Sequence, residues 1–193
     1  MKLLRIATPF ILLLPTVTTL GQQTTGTQPP VLCRFDSLPP IIRHHLREEY
    51  GSWKVQEAAD LSPRARGRWK SEKPLECPGI AVGYFESTQT PSYALLLVPI
   101  GHADAGYRFV VFSQRPGQSD YEAKILDKLG ESGAANYFLR GMPIGKFFDE
   151  ASKKRFHAHT TDVILLFDSA ENEYEVDVYY WSESRYRHDP VDY

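Results

Sequence analysis

Residues 93–98 read Tyr-Ala-Leu-Leu-Leu-Val, and residues 163–167 read Val-Ile-Leu-Leu-Phe. Neither run alternates with polar residues, and turn-forming residues bound both. Apolar runs this short suit strands covered on both faces better than helices. The neighbouring sequence follows the same pattern. Ile80 to Phe85 leads through a polar stretch with Pro91 into the first run, which predicts a hairpin. Gly101 to Gly106 forms a turn before a strand at Tyr107 to Phe112, and Arg115 to Gly117 turns the chain again. Tyr121, Ala123 and Ile125 alternate with Glu122 and Lys124, as a half-buried strand does. Tyr137 to Leu139 adds a short strand. Tyr174, Val176, Val178 and Tyr180 share one face of another, and Arg185 to His188 supplies a last edge strand.

Ser37, Pro39 and Pro40 signal a helix start. Ile42, Leu46 and Tyr50 then recur every four residues and align on one helix face, and Gly51 ends the run. This is one amphipathic helix over about Pro39 to Tyr50. Trp53 to Leu61 begins a first strand. Ser62 to Pro74 carries Arg64, Arg66, Arg68, Lys70 and Lys73 around Trp69 and reads as a solvated loop. Residues 142–158 read as mostly loop. Successive short strands joined by short turns give an antiparallel meander. The predicted class is α+β, mainly β, with one N-terminal helix covering the sheet.

The first residues are an address. Lys2 and Arg5 precede a mostly apolar stretch from Ile6 to Leu14, then Pro15 and the small-residue run ending at Gly21. That layout predicts a secretory signal peptide over residues 1–21, since a retained span would need about 20 apolar residues. Residues 22–30 contain only Gln, Thr, Gly and Pro and form a flexible leader. A single globular domain is expected over residues 31–193, with no membrane span once the leader is cut. Periplasmic or secreted residence follows, and so does a disulfide between Cys33 and Cys77.

The 193 residues carry 24 acidic and 22 basic side chains. Losing Lys2 and Arg5 would move the net charge from -2 to about -4. A nucleic-acid partner is not expected, because phosphate binding needs a basic face. Two cysteines exclude a four-Cys zinc site. No P-loop, dinucleotide fingerprint or Gly-x-Ser-x-Gly elbow occurs, and nothing asks for a cofactor. Ser132-Gly133 is accounted for by a turn. Carboxylate pairs such as Asp149-Glu150 and Glu173 with Glu175 read as solvated charge.

Residues 77–96, from Cys77-Pro78-Gly79-Ile80-Ala81-Val82-Gly83-Tyr84-Phe85-Glu86 to Tyr93-Ala94-Leu95-Leu96, resemble a single FG-GAP or VCBS-type hairpin. In that family an Asp-rich loop holds calcium between two strands. Gly83, Phe85 and the strand after Pro91 match the pattern. Tyr84, Thr88 and Ser92 stand where it places Asp, and only Glu86 keeps a carboxylate. Calcium takes about six to eight oxygen ligands. The resemblance therefore implies a hairpin without its metal, and one copy implies no propeller.

Two clusters are left as candidate sites. His157 and His159, with Asp162 nearby, would project to one face of a strand as metal-binding imidazoles do, but a site needs three or four ligands. Tyr179, Tyr180, Trp181 and Tyr186 lie close to Arg185 and Arg187. Exposed Tyr, Trp and Arg are interface anchors, so Tyr179, Trp181 and Arg185 are the expected contacts. The functional expectation is an exported non-catalytic module that binds a protein or envelope component, in the manner of an inhibitor or immunity protein. The alternative is a small extracytoplasmic hydrolase using a metal at His157 and His159.

Overall fold

The computed structural model describes residues 35–72, 77–102, 105–115, 117–127, 133–147, 162–170 and 175–192. The order of elements is α1 (Pro40–Glu49), β1 (Trp53–Val55), α2 (Pro63–Glu72), β2 (Ile80–Gly83), β3 (Ser92–Pro99), β4 (Arg108–Gln114), β5 (Tyr121–Asp127), β6 (Tyr137–Pro143), α3 (Ile144–Phe147), β7 (Asp162–Asp168), β8 (Glu175–Ser182) and β9 (Arg185–Asp192). The chain is mainly β, as its pattern predicts. It builds two antiparallel sheets rather than one. The first runs β1-β3-β4-β5, with β2 also on β3, and the second runs β6-β7-β8-β9.

The two apolar runs are the centres of these sheets, and alternation splits each run between two cores. On β3 and β4, Ala94, Leu96, Val98, Phe109 and Val111 face the second sheet and meet Leu139, Ile164, Leu166 and Tyr179. Leu95, Leu97, Val110 and Phe112 face the other way, onto Ile42, Leu46 and Tyr50 of α1. On the second sheet, Phe138, Val163, Leu165, Phe167, Val176, Val178 and Tyr180 face outward onto Ala65 and Trp69 of α2. The result is four layers: helix, sheet, sheet, helix. Both faces of each sheet lose water, so a polar residue at a central position needs a partner within the protein.

The helix α2 corrects the reading of residues 62–74 as a loop. Its start carries the same signal as α1. Pro63 stands in the first turn, and Ser62 Oγ accepts the Ala65 N–H at 3.2 Å. Only Ala65 and Trp69 form its apolar stripe, four residues apart, so periodicity was hidden by the surrounding cations. Arg66 and Arg68 among them are engaged, Arg68 Nη2 with Glu72 Oε1 at 3.0 Å. Arg66 Nη2 donates to the carbonyls of Ala59 and Leu61, and Glu72 accepts from Arg140 at 2.8 Å, tying α2 to β6. β1 is shorter than the predicted strand. β6 is longer, reaching Pro143, and α3 begins within the stretch read as loop.

The hairpin of residues 77–96 forms as predicted, with Ile80 opposite Leu95 and Gly83 opposite Ser92. Beyond it the sheets are stitched at one edge. Leu139 N–H donates to Pro78 O at 2.7 Å, and Asp162 Oδ2 accepts the Tyr84 N–H at 2.7 Å. Gln56 is fully buried and donates from Nε2 to Ala134 O at 2.6 Å. The opposite edge, where β5 faces β8 and β9, is open and lined by both charged and aromatic side chains.

Candidate functional site

A bulge sets up the open edge. Phe109 pairs with Asp127 and Val110 with Ile125, so Leu126 is the extra residue in β5. It turns into the inter-sheet core, while Ile125, opposite Val110 on the α1 side, is 43% exposed rather than half-buried. Upstream of the bulge, Tyr121 and Ala123 pack towards α1. Alternation then sends Lys124 inward, between the sheets, at the rim.

Lys124 is the centre of a charged cluster. Its Nζ lies 2.5 Å from Glu86 Oε2 and 3.0 Å from Ser113 Oγ, and 4.7 Å from the centre of the Trp181 ring. Trp181 meets Tyr186 edge to face at 5.0 Å, its cross-strand partner in the β8–β9 hairpin. Burial pushes the Tyr186 phenol well above its ordinary value, and the nearby Glu86 carboxylate adds to this. The hydroxyl therefore stays protonated beside Glu86, although neither Tyr186 Oη nor Glu86 Oε1 reaches full hydrogen-bond geometry with a described group. Arg115 pairs with Glu122 at 2.9 Å in the same region.

Two grooves open from this cluster. The larger, about 690 Å³, is lined by Glu86, Ser87, Thr88, Gln89, Gln114, Arg115, Glu122, Lys124, Trp181 and Ser184. The smaller, about 280 Å³, runs between β5 and β9 past Lys124, Leu126, Trp181, Tyr186 and His188. They share Lys124, Trp181 and Ser184. Ser184 belongs to an exposed two-residue turn in which Glu183 (φ 51°) and Ser184 (φ 63°) both adopt the left-handed region. Such turns favour Asn and Gly, so two side-chain-bearing residues hold a costly backbone at the mouth of both grooves.

The predicted contact residues all line the smaller groove, in unequal ways. Trp181 is half-buried and Arg185 is exposed. Tyr179 is 4% exposed and packs edge to face on Phe109 at 4.9 Å, so its ring belongs to the inter-sheet core. The second sheet is covered on both faces, which leaves Tyr179 no free side. Tyr180 points to the α2 side, where its hydroxyl donates to Asp189 at 2.8 Å. Burial first, and then that carboxylate, push its phenol up to about 12. The residues missed in the sequence are Lys124, Glu122 and Arg115. Lys124 and Glu122 look like the wet face of a strand, and only the pairing of two sheets turns that face into a groove wall.

His157 and His159 lie outside the described residues, as does Cys33. Cys77 is buried, with its Sγ 4.0 Å from Gln56 O. Among the described residues no group of three His, Cys, Asp or Glu is placed to hold a metal ion. No helix among them is long and apolar enough to cross a membrane. Comparison with known proteins finds no matching family model, no matching curated protein and no matching solved structure.

Proposed function

We propose that the protein is an exported, non-catalytic binding module whose contact surface is the open rim between the two sheets, with Trp181 and Arg185 at its centre. One observation carries this reading: two grooves converge on a half-buried Trp held by a cation, beside a turn kept in a costly conformation. Aromatic anchors of this kind concentrate binding energy. The lining supports recognition over catalysis. Among the described residues, the titratable groups of the larger groove are paired with one another, Lys124 with Glu86 and Arg115 with Glu122, and no His or Cys lines it. A general acid or base would need a freer group with a pKa near the working pH. Export rests on the leader pattern of residues 1–21. The partner is a protein or component of the cell envelope.

The test is capture of envelope components by immobilised protein, wild type against Trp181→Ala, with circular dichroism confirming equal folding. The module reading requires a component retained by the wild type and lost by the variant. Equal retention by both proteins removes the rim from the contact surface. Mass spectrometry of the exported product should give a new N-terminus at about residue 22.

A further inference from the structure

We infer that the larger rim groove takes a neutral, hydroxyl-rich ligand, a saccharide chain. This rests on the reading of the rim as the binding surface and names the chemistry it recognises.

Charge is the first argument. Two cations, Arg115 and Lys124, and two carboxylates, Glu86 and Glu122, line the groove, and each cation already has a carboxylate within 3.0 Å. An anionic ligand would meet Glu86 and Glu122, and a cationic one Arg115 and Lys124. Neither finds a surplus of opposite charge to offset its desolvation. A neutral polar ligand meets no such penalty.

The second argument is the rest of the lining. Ser87, Thr88 and Ser184 present hydroxyls, and Gln89 and Gln114 present amides, each able to donate and accept. A ligand that carries several hydroxyls on each ring can match such a wall. Ser87 Oγ accepts the Gln89 N–H at 3.1 Å, a local bond within the 86–89 loop. The third argument is Trp181. Lys124 holds the indole in place, and its partial exposure gives an apolar surface against which the C–H face of a pyranose can pack. A volume of about 690 Å³ accommodates more than one sugar ring.

The experiment is calorimetric titration of the full exported protein with neutral hexasaccharides: β-1,4-linked glucose, β-1,4-linked N-acetylglucosamine, β-1,4-linked xylose and α-1,4-linked glucose. Hexaglutamate and hexalysine peptides are titrated in parallel. At least one saccharide should bind with a Kd of about 1 mM or tighter. Gln89→Ala, in an exposed loop, should weaken that binding about tenfold with unchanged melting temperature, and Trp181→Phe should weaken it less than Trp181→Ala. Absence of binding by all four saccharides overturns the inference. So does tighter binding of either charged peptide, or saccharide binding indifferent to Gln89 and Trp181. If the saccharides fail while Trp181→Ala still loses the envelope partner, the module reading survives and only the ligand class falls.

Discussion

Lys124 Nζ lies 4.7 Å from the centre of the Trp181 indole and is held there by Glu86 Oε2. The contact joins the edge strand of one sheet to the hairpin of the other, so its loss is felt across the open side of the sandwich. Lys124→Ala would leave Glu86, whose side chain is 11% exposed, without its cation. Breaking a largely buried pair in this way costs roughly 2–4 kcal/mol. Glu86→Gln combined with Lys124→Met should cost less than the two single changes added together, because no uncompensated charge remains. Urea denaturation of the four proteins measures this. Additive effects would show that the pair is not coupled.

The β8–β9 turn can be relieved. Ser184 sits at φ 63°, where a side chain is strained and glycine is not. Ser184→Gly is expected to raise stability by about 0.5–1 kcal/mol, seen as a higher melting temperature. Because Ser184 lines both grooves, the same variant should bind ligand less well if the turn geometry serves recognition. A stabilised protein with undiminished binding would remove the turn from the site.

Two glycines should respond in opposite directions. A Cβ at Gly141 would lie 2.9 Å from the Val82 carbonyl oxygen, where β6 crosses close to β2. Gly141→Ala should destabilise by roughly 1–3 kcal/mol through overpacking. A Cβ at Gly67, in the middle of α2, meets nothing within 4 Å. Gly67→Ala should stabilise by roughly 0.5–1 kcal/mol, the helix preference for Ala over Gly. Thermal melts of both decide the matter, and equal shifts would contradict the described packing.

Cys77 packs in the α1-side core, and its expected partner Cys33 lies about 45 residues upstream. Closing a loop of that length contributes about 4 kcal/mol in the chain-entropy model. Thiol titration of the denatured exported protein should find no free thiol before reduction and two after it. Two thiols without reductant would remove the bridge.

The strands were legible because burial on both faces leaves an uninterrupted apolar run, as at residues 163–167, and burial on one face leaves alternation, as at Val176 and Val178. The helix α1 was legible from Ile42, Leu46 and Tyr50 in one stripe. α2 was not, because Ala65 and Trp69 are a thin stripe among four cations and the Ser62–Pro63 start was the only other signal. That the meander divides into two sheets is also invisible locally, since β5 and β6 have ordinary strand patterns and only long-range packing sets their partners. The site suffers from this most. Trp181 and Arg185 stood out by type, but Tyr179 could be placed in the core, and the polar face of Lys124 read as a groove wall, only once a second sheet lay over them.

His45 gives the fold a pH dependence. Its Nδ1 lies 2.8 Å from Glu49 Oε1 on α1, and its Nε2 lies 3.5 Å from Asp120 Oδ1 ahead of β5. The hydrogen bond to Glu49 raises its pKa above the ordinary 6.5. Burial opposes this, and Asp120 adds to it. A raised folded-state value means that the folded protein binds the proton more tightly than the unfolded chain does. The stabilisation is thus complete below pH 6.5 and is lost as pH rises through the folded-state value. The pairs are partly exposed, so the effect should be at most about 1 kcal/mol. Urea midpoints of the wild type and His45→Gln should therefore differ most near pH 5.5 and converge by about pH 8.5. A difference that grows with pH would reverse the sign and exclude His45 as the clasp between α1 and β5.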